Sequence, residues 1–131
     1  MADTRRRVIE APARKKPAVK LETIRVVVEH DEDPDTSYLD QDEFDERRAE
    51  YRNGDFTFVG VRAEADVVIG GVIQTLTSGG LWGIESDSGK EYIEEVAGEE
   101  YGQLRKILTE VGVPTKELPQ KIDRRQIEWR A

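Results

Sequence analysis

The chain of 131 residues contains no cysteine and a single histidine, His30. Without cysteine there are no disulfides, no thiolate metal sites and no cysteine nucleophile. No apolar run approaches the roughly 18 residues that a membrane helix needs, and no signal-peptide core is present. The start Met-Ala-Asp followed by Arg5-Arg6-Arg7 resembles an ordinary cytosolic N-terminus, so the expected location is the cytoplasm, away from membranes. The phosphate-cradling GxxxxGK[ST] pattern is missing, and Gly79-Gly80-Leu81-Trp82-Gly83 fits no dinucleotide fingerprint. Ser37, Ser78, Ser86 and Ser88 are not framed by a nucleophile elbow. No catalytic constellation is complete, and no cofactor is expected.

What the chain has in quantity is charge, unevenly divided. The net −8 resolves into +5 for residues 1–20, −15 for residues 21–112 and +2 for residues 113–131. Asymmetry of this kind speaks to partners and solubility rather than to fold. Residues 1–20, with Arg5, Arg6, Arg7, Arg14, Lys15, Lys16, Pro12 and Pro17, hold too little apolar bulk to offset chain entropy. They read as a disordered basic arm. Residues 21–112 read as one acidic domain, and residues 113–131 as a basic tail in which Ile122, Ile127 and Trp129 form a short helix or a docking segment.

Within the body, Ile24 to Val28 is a β-branched run that suits a strand. Asp40 with Glu43 three residues later resembles a capping box, predicting a helix from there to about Arg52, stopped by Asn53-Gly54. Phe56 to Ile69 reads as strand. Gly70-Gly71 is a two-residue hairpin signal leading into Val72–Thr77, and Ser78-Gly79-Gly80 turns the chain into Leu81–Glu85. Ser88 and Glu91 then suggest the cap of a second helix, whose apolar stripe runs through Ile93, Val96, Ala97, Leu104, Ile107, Leu108 and Val111. Gly98 and Gly102 mark a place where that helix can bend, and Gly112 with Pro114 ends it. The order β-α-β-β-β-α predicts an α+β domain, a small antiparallel sheet with two helices packed on one face.

Candidate sites are few. Asp31-Glu32-Asp33-Pro34-Asp35 alternates carboxylates as a calcium loop does, but Thr36 and Asp42 stand where an EF-hand needs Gly and Glu. His30 beside Asp31, Asp33 and Asp35 offers a weak metal-ligand set or a general base. Trp82 among glycines suits either a core tryptophan beside a tight β-turn or an exposed aromatic contact. Together with Trp82, the acids Asp31, Asp33, Asp35, Asp42, Asp45, Glu46, Glu85 and Asp87 make a candidate partner-binding surface. The arm's Arg5, Arg6, Arg7, Arg14, Lys15 and Lys16 are an alternative contact for nucleic-acid phosphates.

The segments Asp35–Leu39, Arg52–Ala63 and Leu76–Ser88, above all Leu-Thr-Ser-Gly-Gly-Leu-Trp-Gly-Ile-Glu-Ser-Asp-Ser, resemble a family of small acidic proteins of bacterial genomes, phages and other mobile elements. The resemblance spans residues 26–112 and implies no particular activity. With the charge division it points to a non-enzymatic interaction protein, an accessory or anti-defence factor whose acidic surface engages a basic, nucleic-acid-binding protein, in the manner of a nucleic-acid backbone. The rival expectations are weak nucleic-acid binding through the arm, and a metal protein or enzyme centred on His30.

Overall fold

The structure, a computed structural model, describes residues 18–131. Its frame is a five-stranded, mostly antiparallel sheet with two α-helices. Strand β1 (Val19–His30) pairs antiparallel with β2 (Phe58–Ile69) from Val19↔Ile69 to His30↔Val59, with a bulge between Leu21 and Thr23. Beyond that bulge both strands alternate, so side chains two apart share a face. Val26, Val28, Val59, Val61, Ala63, Ala65 and Val67 form one buried apolar face. Arg25, Glu29, Arg62, Glu64 and Asp66 stand on the other.

Gly70 and Gly71, at φ +56° and +82°, make the expected two-residue turn into β3 (Val72–Thr77). Ser78-Gly79-Gly80 interrupts the chain, and β4 (Leu81–Glu85) resumes along the same edge of β2. A buried carboxylate fixes that interruption. Glu100, only 4% exposed, accepts from the Ser78 hydroxyl at 2.8 Å and from Gly80 N at 2.7 Å.

The apolar face is closed by α2 (Lys90–Val111), whose Ile93, Val96, Ala97, Tyr101, Leu104 and Leu108 are buried against it. The helix is continuous across Gly98 and Gly102, which both face outward. Its start departs from the expected Ser88 cap. Gly89, at φ +94°, precedes the helix, while the Ser88 hydroxyl turns back to donate to Glu85 O at 2.6 Å.

The first helix also differs from expectation. Helix α1 (Asp45–Arg52) starts five residues after Asp40 and has no side-chain cap. Two 3₁₀ turns, Ser37–Asp40 and Asp42–Phe44, come before it. They seat Tyr38, Leu39 and Phe44 with Tyr51, Phe56 and Phe58 in a second, aromatic cluster. Phe58 alternates with Val59, so this cluster sits apart from the α2 core.

The C-terminal segment is part of the domain. Val113 and Leu118 are buried in the α2 core, and the Tyr101 hydroxyl donates to Pro119 O. Asp123 and Gln126 form a capping box on a 3₁₀ turn, which leads into β5 (Ile127–Trp129), parallel to β1. The boundary expected at residue 112 is therefore moved to the chain's last strand. Val26, Val27 and Val28 are wholly buried because β1 lies between β2 and β5.

Candidate acidic cleft

At the end of β1 the chain crosses toward β4, and Asp31 holds the two together. Asp31 N donates to Phe58 O at 2.9 Å. Its carboxylate accepts from Asp33 N at 3.1 Å and from Gly83 N at 2.9 Å, and the residue is 8% exposed. Gly83 can offer that N–H because it stands at φ +74°, a conformation that side-chain-bearing residues rarely adopt. Trp82, next to it, lies across β2 at Gly60, where a Cβ would fall inside the indole ring. Gly60 is thus the floor that lets the indole lie flat, and 44% of Trp82 stays exposed.

Between these pieces opens a cleft of about 510 Å³, lined by Glu29, His30, Asp31, Glu32, Asp33, Trp82 and Arg130. Glu29 pairs with Arg62, and Arg130 with Glu128 at 2.9 Å. Glu32 and Asp33 are exposed and pair with no described cation. Four carboxylates and one arginine give the cleft a negative field beside an open π face. On the other side of Trp82 a groove of about 340 Å³ runs along β4, edged by Tyr38 and Tyr92.

Of the residues expected to bind a partner, Asp31, Asp33 and Trp82 meet here, with His30. The others do not. Asp35 is turned to Ser37, whose hydroxyl and amide, at 2.7 and 3.0 Å, hold its carboxyl below the usual range. Glu85 and Asp87 are gripped by Arg47 at 2.9 and 2.7 Å, and that arginine also pairs with Glu50 and stacks 3.8 Å over Phe56. Arg47 holds Asp87 below the ordinary aspartate range, and burial with the Glu85 charge pushes Tyr38 up to about 12. Asp45 pairs with Arg48, while Asp42 and Glu46 stay exposed on the α1 side. The candidate acids are thus spread over separate places, several of them neutralised within the fold.

The metal reading is corrected by the same geometry. No three His, Asp or Glu side chains among the described residues converge as metal ligands. Asp31 is committed to backbone amides and Asp35 to Ser37, which leaves His30 without a set. The serine hydroxyls are also engaged: Ser37 with Asp35, Ser78 with Glu100, Ser88 with Glu85 O, and Ser86 Oγ accepts from Thr57 N at 2.9 Å. None of them meets His30. Arg5, Arg6, Arg7, Arg14, Lys15 and Lys16 lie outside the described residues.

Glu32 belongs to the acidic turn read from the sequence, whereas Glu29 and Arg130 do not stand out there. The β-alternation that carries Arg25 to Glu29 was a usable signal for Glu29; Arg130 had none, because β5 joins β1 across nearly the whole chain. No described helix is long and apolar enough to cross a membrane. Comparison with protein-family models, curated proteins and solved structures finds no match, so the chemistry of the cleft carries the argument.

Proposed function

We propose that this protein is a non-enzymatic binding module that captures a cationic segment of a partner protein, seating an Arg or Lys side chain in the cleft against Trp82. One observation carries the reading: an indole laid flat on Gly60, its outer surface open, in a cleft with the exposed carboxylates of Glu32 and Asp33, which pair with no described cation, and with Glu29 and Asp31, engaged by Arg62 and by backbone amides. A cation over such a ring gains about 0.5–2 kcal/mol, and adjacent carboxylates add charge-assisted hydrogen bonds. The selectivity is for a guanidinium or ammonium on a peptide, since the site is too open to enclose a small molecule. The resemblance of residues 26–112 to mobile-element proteins favours an accessory or anti-defence role exercised through such capture of a basic protein. A long phosphate-like row of acids is not part of the reading, because Asp45, Glu85 and Asp87 are paired internally.

Calorimetric titration of the full chain with an arginine-rich peptide tests this. Binding at low salt, weakened by added salt, is expected, as is a loss of about twofold to thirtyfold in Trp82→Ala. Asp33→Asn and Glu32→Gln, both at exposed positions, lower affinity by smaller factors without touching the fold. Absence of heat at low salt, or equal binding by Trp82→Ala, sinks the reading.

A further inference from the structure

Charge is dense along this chain, yet Val67 to Ile84 contains no charged residue. That stretch builds the end of β2, the hairpin turn, β3 and nearly all of β4. Among the described strands β3 alone lacks a charge: β1 has Lys20, Glu22, Arg25 and Glu29, β2 has Arg62, Glu64 and Asp66, β4 has Glu85, and β5 has Glu128. Natural sheets guard an edge with lysine, proline or a bulge. Strand β3 has none of these, and its register with β2 is unbroken from Glu64↔Thr77 to Ile69↔Val72.

The backbone of that edge is also open. The two-residue turn makes Ile69 and Val72 a hydrogen-bonded pair, and antiparallel alternation then points the N–H and C=O of Ile73, Thr75 and Thr77 away from β2. Ser78 N bonding Ala63 O at 2.9 Å agrees with that phase. No described side chain bonds those outward groups. Ile73, at 71%, is the most exposed of the large apolar side chains among the described residues, with Val72 beside it at 56%. The rest of the same edge is blunted: Asp31 takes Gly83 N, and Glu85 O accepts from Ser88 N and the Ser88 hydroxyl.

We propose that β3 pairs antiparallel with β3 of a second copy of this chain, about a two-fold axis at Thr75, joining two sheets into one. The charge pattern selects this occupant. Two-fold pairing brings a strand against itself, so charges of one sign meet their like, and in an acidic chain the uncharged strand is where self-pairing is unopposed. A foreign strand attracted by the protein's acidity would find no acid on β3 to meet. The axis at Thr75 sets Ile73 opposite Thr77 of the second copy and Gln74 opposite its Leu76, and engages every outward N–H and C=O.

Sedimentation of the full chain over a wide concentration range tests the proposal. The expected mass is about twice the 14.9 kDa chain. Dimerisation tightens as salt screens repulsion between two chains of net −8. Thr75→Pro removes an N–H that β2 does not use, and Thr75→Lys keeps it but sets a cation beside its copy. Each raises the dimer Kd about tenfold or more, with circular-dichroism melting showing the monomer still folded. Trp129→Lys, on the opposite edge, leaves the dimer unchanged. A monomer at the highest concentration overturns the proposal. So does a dimer indifferent to both Thr75 variants, one lost in Trp129→Lys, or one that dissolves with salt, the last pointing to basic ends bridging acidic bodies.

Discussion

Beneath α2 the sheet presents Val26, Val28, Val61, Ala63, Ala65 and Val67, while the opposite face of the same two strands presents Arg25, Glu29, Arg62, Glu64 and Asp66. One run in β2, Val61-Arg62-Ala63-Glu64-Ala65-Asp66-Val67, writes both faces by alternation. The apolar face supplies burial, the main favourable term in folding. The charged face is a ladder: Arg25 to Glu64 and Asp66, each at 2.8 Å, and Arg62 to Glu64 at 2.8 Å and to Glu29. Its larger contribution is to register. A slip of one residue would drive Arg62, Glu64 and Asp66 under α2, where no partner waits for a buried charge.

The largest effect is expected where burial is complete. Leu104→Ala, on the wholly buried side of α2, should lose about 2–5 kcal/mol in chemical denaturation. A loss below about 1 kcal/mol would mean that α2 is not the lid of this core. Next comes the point where the open face is most crowded. Gly60→Ala forces Trp82 off its seat and should cost about 1–3 kcal/mol, with a shift in tryptophan emission. In a Trp82→Ala background the same change should be much cheaper. Equal costs in both backgrounds would show that the ring does not rest on Gly60.

On the ladder itself the effect is smaller. Arg25→Met removes two ion pairs, but Arg62 still faces Glu64, and the group is partly solvated. About 1 kcal/mol is expected by the same denaturation measurement. A cost matching that of Leu104→Ala would break the contrast between the faces.

Much of this contrast was legible beforehand, and the reasons for the rest are physical. Gly70-Gly71 announces its hairpin because glycine takes two consecutive positive-φ positions without a steric cost, and the stripe from Ile93 to Leu108 announces α2 because helical spacing is local. Leu39 and Phe44 obey no helical period, since the aromatic cluster of Phe56 and Phe58 dictates their place. Strand β5 has three residues and exists only because β1 is beside it, a pairing no local pattern encodes. Trp82, Asp31 and Asp33 were visible as contact candidates, but an aromatic among glycines fits a core position as well as a surface one, so the exposure of Trp82 was not. That Gly60 lies under the ring depends on the shifted register between Val59 and Val61, which only the folded sheet displays.

The smallest effect separates the two faces by pH. Asp66 accepts from Arg25 and from the Thr75 and Thr23 hydroxyls, which hold its carboxyl well below the ordinary aspartate value of 3.8. Burial pushes Glu64 up, but hydrogen bonds from Arg62 and Arg25 outweigh it and leave it below its ordinary 4.5. A carboxylate depressed in the folded state binds fewer protons there than in the unfolded chain. Its contribution is therefore fully present above the unfolded value and lost as pH falls through the folded one. Asp66→Asn should be slightly less stable than the parent protein from pH 7 down to about 5, with the gap closing as the pH is lowered below about 4. Leu104→Ala should show the same deficit at pH 7 and pH 4, because no proton enters its account. Denaturation midpoints of the three proteins across this range decide the matter. A gap between Asp66→Asn and the parent that stays constant with pH would mean that neither Arg25 nor the two hydroxyls favour the ionised carboxyl in the folded state, and that the ladder's charge contributes nothing.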